Sequence, residues 1–177
     1  MLRGVNVGGH HKIKMDVLRT LCESIGLENP QTFIQSGNIV FKTKERNLKK
    51  VARLIEDAIE GEVEFRPDVI LRTTPELKNA IAKNPFAKRR DLNPAKLLVN
   101  FFAEEPDAKA KDQVLKIKAD GEEMRINGRE LYIYFPDGMG RSKLPLPKIG
   151  TILGSTSTGR NLNTVNKLLE MAQSLEG

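Results

Sequence analysis

The amino-acid sequence predicts an α+β fold made of two similar halves. Segments whose apolar residues recur at helical spacing alternate with short apolar runs of strand length, and this alternation is found twice along the 177 residues. Apolar residues make up 39% and charged residues 29% of the chain, which is typical of globular proteins. A chain of this length buries about two-thirds of its unfolded surface, so we expect a hydrophobic core that needs no disulfide.

The first half opens with a helix followed by a β-hairpin. The helix is predicted over residues 15–25, because its apolar residues recur every three or four positions and Gly26 follows as a stop signal. Two strands are predicted next, over residues 32–35 and 38–43. They are joined at Ser36-Gly37-Asn38, where glycine and asparagine tolerate the positive φ of a tight reversal.

The first half closes with a second helix and a strand. Residues 48–59 place apolar side chains on one helical face that stops at Gly61, and residues 68–72 form an apolar run of strand length. Together with a short strand that begins at Leu2, the first half has the order β-α-β-β-α-β.

The second half begins the same order again after a short connecting helix. Thr74-Pro75 predicts the start of that helix and Asn84-Pro85 its stop. The elements that follow are a strand over 96–103, a helix over 106–117 and two strands over 122–126 and 130–135. Asn127-Gly128 between these two strands is the strongest short-range hairpin signal, and the chain then ends in helices.

This order of elements predicts two ferredoxin-like α/β subdomains packed together. The first covers residues 1–74, and the second covers residues 75–177 and includes the C-terminal helices. Nothing in the sequence indicates an oligomeric state.

The sequence gives no support for a reactive cysteine, a metal site or catalysis by histidine. Cys22 is the only cysteine and lies on the apolar stripe of a predicted helix, so we interpret it as a small buried hydrophobic residue. The two histidines, His10 and His11, are neighbours in a loop, where adjacent side chains rarely converge on one metal or one proton. No metal site, no cofactor and no catalytic residue is predicted.

Positive charge is unevenly distributed. The net charge is +6, and the 32 residues between Asp137 and Glu170 contain five basic side chains and no acidic one. This pattern predicts a surface that binds an anion.

Four polar segments, three with glycine at a turn, are the candidates for such a site. Their side chains could form charge-assisted hydrogen bonds to phosphate or carboxylate. The candidate residues are Arg3, Asn6, Gln35, Ser36, Asn38, Arg141, Ser142, Lys143, Arg160, Asn161, Asn163 and Thr164. The alternative is structural, with asparagines capping helices and arginines paired with carboxylates.

The expected location is the cytoplasm. No stretch approaches the twenty apolar residues of a membrane span, and the first residues lack the pattern of a secretory signal. Nine aromatic residues offer little for stacking bases on a sheet. The predicted partner is a phosphate-bearing small molecule or a nucleic-acid backbone, and no membrane partner is expected.

The sequence closely resembles an uncharacterised, mostly bacterial family, the domain of unknown function 1697, over nearly its whole length. The shared segments are Leu2-Arg3-Gly4-Val5-Asn6-Val7-Gly8-Gly9, Ile34-Gln35-Ser36-Gly37-Asn38-Ile39-Val40-Phe41, Asn84-Pro85-Phe86, Arg141-Ser142-Lys143-Leu144 and Thr158-Gly159-Arg160-Asn161-Leu162-Asn163-Thr164-Val165. The family usually has a longer first strand, which suggests a start upstream of Met1, and tryptophan where Leu162 stands. The resemblance implies two ferredoxin-like subdomains and no established activity.

Three hypotheses follow. The chain binds a phosphate-bearing ligand, either a nucleotide or a nucleic-acid backbone, through its cationic loops. Alternatively, it is an enzyme acting on a small anionic substrate, whose proton-transfer group the sequence does not reveal. In the third hypothesis, the polar segments are purely structural.

Overall fold

The computed structural model describes all 177 residues and has an α+β fold with two separate sheets and six α-helices. The chain divides into two compact units, Met1–Thr74 with Leu168–Gly177, and Pro75–Lys167. Residues 168–177, predicted to belong to the second subdomain, group with the first unit. None of the helices combines the length and the hydrophobicity needed to cross a bilayer.

The helices and strands are numbered in chain order. The helices are α1 Met15–Ser24, α2 Leu48–Glu62, α3 Thr74–Ala82, α4 Ala108–Leu115, α5 Leu146–Leu153 and α6 Leu162–Glu176. The strands are β1 Glu28–Phe33, β2 Asn38–Lys42, β3 Leu97–Phe102, β4 Glu123–Asn127, β5 Glu130–Tyr134 and β6 Ser157–Asn161. The predicted helices over 15–25, 48–59 and 106–117 are confirmed as α1, α2 and α4, with ends that differ by up to three residues.

The first unit contains the antiparallel pair β1 and β2 and the first residues of the chain. The Leu2 amide donates to the Gly37 carbonyl (2.8 Å), and the Arg3 amide donates to the Asp68 carbonyl (2.9 Å). Residues 1–3 therefore lie between the start of β2 and the segment around residue 68. The strand predicted over 68–72 is reduced to a single bridge between Leu2 and Val69, because only the short N-terminal segment lies beside it.

The core of the first unit forms where α1 and α2 pack their apolar stripes. Leu18 and Cys22 of α1 and Ile55 and Ile59 of α2 are each at most 1% exposed. Burial of such side chains contributes about 1.5–3 kcal/mol each, so this stripe holds the unit together.

The second unit is built on a four-stranded antiparallel sheet in the order β4-β5-β3-β6. The predicted hairpin is confirmed, but Asn127 is the last residue of β4 and pairs with Glu130, so the two residues that join the strands are Gly128, with a φ of +57°, and Arg129. One face of the sheet, including Phe102 and Ile133, packs against α4 and α5 around Val114.

Polar and aromatic contacts secure residues 80–91 in the second unit. The Tyr132 hydroxyl donates to the Ala80 carbonyl (2.7 Å), and the Arg89 guanidinium lies 4.3 Å from the centre of the Tyr134 ring. Arg89 also forms ion pairs with Asp91 and Glu123. Arg89 is therefore engaged within the unit.

Strand β6 has no strand signal in the sequence. The sequence predicts only a polar segment with candidate anion contacts here, but Ser157–Asn161 forms the edge strand beside β3. The polar composition of the segment hides the strand. Gly159 packs closely against β3, since an added Cβ would lie 3.0 Å from Leu98 Cδ1.

Candidate functional site

A short loop after β5 carries two of the cations predicted from the sequence. Gly138 has a φ of +87°, and its amide donates to the Phe135 carbonyl (3.0 Å), so the chain turns sharply at the end of the strand. A single turn of 3₁₀ helix, Met139–Arg141, follows. This geometry leaves the side chains of Arg141 and Lys143 exposed.

The loop borders a cavity of about 310 Å³ within the second unit. The polar and charged side chains that line it are Asp120, Glu122, Asp137, Arg141, Ser142 and Lys143. Phe135 and Pro136 supply the apolar part of the lining. The structure thus brings the predicted residues 141–143 together at one cavity and adds three carboxylates to them.

Ser142 stabilises the loop through two hydrogen bonds of its hydroxyl group. Its hydroxyl donates to the Glu122 carboxylate and accepts a hydrogen bond from the Leu144 amide (3.1 Å). The Glu122 carboxylate also accepts from the Asp120 amide (2.9 Å). The Ser142 hydrogen bond, with support from backbone amides, holds the pKa of Glu122 below its usual range. Ser142 and Glu122 therefore fix the shape of the cavity wall, and the hydroxyl is already engaged.

The other charged side chains of the cavity have no ionic partner. Arg141, Lys143, Asp120 and Asp137 form no ion pair in the structure, although opposite charges line the same cavity. A bound ligand can therefore contact either sign of charge without first breaking an ion pair, which lowers the cost of binding.

Asp120 and Glu122 were missed because they are far from the loop in sequence, whereas Asp137 directly precedes the loop and only marked the start of the acid-free stretch. Asp120 and Glu122 precede β4, whereas Asp137 follows β5. In the hairpin register, Glu123 pairs with Tyr134, so the residues before β4 and after β5 meet at the same end of the sheet. The predicted Asn127-Gly128 hairpin contained this signal, since an antiparallel pair brings its outer ends together.

In the first unit, Arg3 and Asn6 have partners of their own. The Arg3 guanidinium forms an ion pair with Asp68 at 3.1 Å, and both side chains are at least half exposed. Asn6 donates to the carbonyls of Ile13 (3.0 Å) and Gln35 (2.7 Å) and accepts from the Ile13 amide (3.0 Å). The Asn6 contacts tie two loops together. They fit the alternative in which the polar residues of this segment are structural.

The turn between β1 and β2 is organised by Asn38. This side chain is fully buried and donates to the Phe33 carbonyl (3.0 Å) and to the Ser36 hydroxyl (3.1 Å). Ile34 in the same turn has a φ of +52°, an uncommon conformation for a β-branched residue. Gln35 is exposed, so it is the accessible candidate of this turn.

Arg160 is a buried cation on β6. Its guanidinium donates to the Thr158 hydroxyl and to the Gly159 carbonyl, each at 2.8 Å. Burial lowers the pKa of Arg160 to about 10, because removing the charge from water disfavours the protonated form. Arg160 does not line the cavity beside Arg141, so these two cations of the second unit do not share it.

The remaining candidates lie at the start of α6. The Asn161 side chain accepts a hydrogen bond from the Thr164 amide (2.9 Å), which is the N-terminal capping predicted as the structural alternative. Thr164 is buried and Asn163 is exposed. Capping therefore accounts for Asn161.

A metal centre and a second cavity are the other places where a site could lie in the structure. No group of three or more histidine, cysteine, aspartate or glutamate side chains has the arrangement needed to hold a metal ion. A smaller cavity of about 180 Å³ in the second unit is lined by Glu76 and Arg129, among others, and these two side chains form an ion pair. The cavity beside Arg141 differs because both of its cations are unpaired, whereas in the smaller cavity only Lys83 is.

The structure thus has two α+β units, each with its own sheet, and a cavity beside Arg141 whose lining carries unpaired charges of both signs. The chain belongs to DUF1697, a family of proteins of unknown function whose model matches residues 1–132. No curated protein matches the sequence at a significant level. The fold is similar to that of the conserved bacterial protein SP0830 from Streptococcus pneumoniae, with a TM-score of 0.78 and 22% sequence identity over 98% of this chain and 96% of that chain.

Proposed function

We propose that the protein binds a small phosphate-bearing ligand in the cavity of its second unit, with Arg141 and Lys143 as the phosphate contacts. The observation that carries this proposal is the pair of exposed, unpaired cations at the rim of a cavity of about 310 Å³. Hydrogen bonds between such cations and phosphate are charge-assisted and about twice as strong as neutral ones.

The size and construction of the cavity support a small ligand rather than a polymer. Its volume is near the lower end of the range of about 300–1,000 Å³ typical of small-molecule sites. The hydrogen bond from Ser142 to Glu122 holds the loop in place before a ligand arrives. Such preorganisation reduces the entropy lost on binding.

The topology of the two units supports a ferredoxin-like assignment for each, which we propose as the finer description of the fold. In the second unit, α4 follows β3 and α5 follows β5, and the sheet order β4-β5-β3-β6 is the one that a β-α-β-β-α-β motif produces. In the first unit, residues 1–3 occupy the position of the first strand. Nuclear Overhauser contacts between the amides of residues 1–3 and those of residues 37 and 68–70 would test this assignment.

Substitution of either cation tests the proposed function. We expect Arg141→Ala and Lys143→Ala each to weaken the binding of phosphomonoesters about tenfold or more, because a hydrogen bond to a charged group contributes about 1.5–3 kcal/mol. Isothermal titration calorimetry at low salt, where screening is small, measures the dissociation constants.

Lys148→Ala is the matched control, because Lys148 is exposed, lies in the same acid-free stretch and does not line the cavity. It should bind phosphomonoesters as the unaltered protein does. If no phosphate, sugar phosphate or nucleotide binds, or if all three variants bind equally, the proposed function is wrong.

A further inference from the structure

We propose that the ligand of this cavity is a phosphomonoester that also carries hydroxyl or ammonium hydrogen-bond donors, which the carboxylates of Asp120 and Asp137 accept. This inference rests on the function proposed above and specifies its ligand. The evidence is the mixture of charges around one cavity, where two unpaired carboxylates face the same space as two unpaired cations.

The balance of charge argues against a bare anion. The lining contains two cations, Arg141 and Lys143, and three carboxylates, of Asp120, Glu122 and Asp137, so its net charge is −1. A phosphate group in this space is attracted by the two cations and repelled by the three carboxylates. Tight binding therefore requires a ligand whose remainder interacts favourably with the carboxylates.

The three carboxylates do not have equal roles. The Glu122 carboxylate accepts hydrogen bonds from Ser142 and from the Asp120 amide, so its acceptor capacity is largely used within the protein. Asp120 and Asp137 are exposed and have no ionic partner. An ionised carboxylate can only accept hydrogen bonds, so its partner on the ligand must be a donor.

Two kinds of ligand share this chemistry. A phosphorylated sugar or nucleoside offers hydroxyl donors, and a phosphorylated amino alcohol offers an ammonium donor. Both place an anionic group and a donor group within one small molecule, which matches the two signs of charge that line the cavity. Separate probes in the experiment distinguish them.

The test compares inorganic phosphate, methyl phosphate, ribose 5-phosphate and phosphoethanolamine by isothermal titration calorimetry. Against the unaltered protein, we expect one of the two donor-bearing esters to bind at least tenfold more tightly than methyl phosphate. If ribose 5-phosphate binds more tightly, the carboxylates recognise hydroxyl groups. If phosphoethanolamine binds more tightly, they recognise an ammonium group.

The variants Asp120→Asn and Asp137→Asn should affect the binding of donor-bearing esters and the binding of methyl phosphate differently. Each substitution removes one negative charge and leaves the shape of the side chain nearly unchanged. Binding of the preferred donor-bearing ester should weaken about fivefold or more, whereas binding of methyl phosphate should stay equal or strengthen because repulsion is reduced. Asp112→Asn, an exposed substitution on α4 outside the cavity, serves as the control and should change neither.

The results separate this inference from the function on which it rests. If methyl phosphate and both donor-bearing esters bind equally, and Arg141→Ala weakens all of them, the phosphate site stands and the donor inference is overturned. The same conclusion holds if Asp120→Asn and Asp137→Asn strengthen every probe alike, because the carboxylates would then act only by repulsion. If no probe binds, both proposals are overturned.

Discussion

Replacing Gly37 with alanine is expected to destabilise the first unit by about 2–5 kcal/mol. Gly37 has a φ of +75°, a conformation that costs an L-residue about 1–2 kcal/mol. The added Cβ would also lie 2.9 Å from Leu2 Cβ and collide with Val5 Cγ2. Leu2 and Val5 are buried core residues that cannot move aside freely, and overpacking of this kind costs about 1–3 kcal/mol.

Thermal unfolding followed by circular dichroism measures this effect. A loss of this size should lower the melting temperature of the first unit by roughly 10 °C or more. Gly26→Ala is the matched control, because Gly26 also has a positive φ, +82°, but no atom lies within 4 Å of its added Cβ. Equal melting temperatures for the two variants would show that Leu2 and Val5 do not pack closely on Gly37.

The thiol of Cys22 is expected to be unreactive in the folded protein. Cys22 is 1% exposed, and burial raises its pKa from the ordinary value of 9.0 to about 12. A rise of this size reduces the thiolate fraction at neutral pH about a thousandfold, and the thiolate is the reactive form. Ellman's reagent should therefore label the native protein very slowly and the protein in concentrated guanidinium chloride at once.

The variant that carries Cys22→Ser together with Ser24→Cys is the control, since Ser24 is exposed on the same helix. Its thiol should react rapidly in the native state. Rapid labelling of Cys22 itself under native conditions would contradict the packing of α1 described above.

The shifted pKa of Cys22 also sets the direction of a pH effect. The folded protein keeps the proton up to a pH of about 12, whereas the unfolded chain loses it near the ordinary value of 9.0. The unfolded state therefore binds fewer protons in this interval, and the free energy of unfolding falls as the pH rises through it. At neutral pH the thiol contributes no pH dependence.

Elements with a strong local pattern were predicted from the sequence. The helix α1 followed from apolar side chains at helical spacing and from Gly26, which has a φ of +82° in the structure. The hairpin of β4 and β5 was predicted from Asn127-Gly128, and Gly128 supplies the positive φ of the two-residue turn while Asn127 ends β4. In both cases the residues that carry the sequence pattern lie within the predicted element or directly beside it.

Features that depend on distant neighbours were predicted less well. Strand β6 has a polar sequence and exists because it pairs with β3, and the cavity needs residues from before β4 and after β5. The residues Asn6, Asn38 and Asn161 matched an anion-binding pattern but use their amides to fasten loops and to cap α6. Composition cannot separate these uses, since the same side chains bind phosphate and backbone groups.

The central claim is that phosphate binds at the loop of residues 138–143 in the second unit. Chemical-shift mapping by nuclear magnetic resonance tests it most directly, with methyl phosphate titrated into the full chain. We predict that amide shifts are concentrated at residues 138–143 and 120–122. Shifts concentrated at residues 3–6 and 35–38 or at residues 158–164, or no shifts at any residue, would contradict the account.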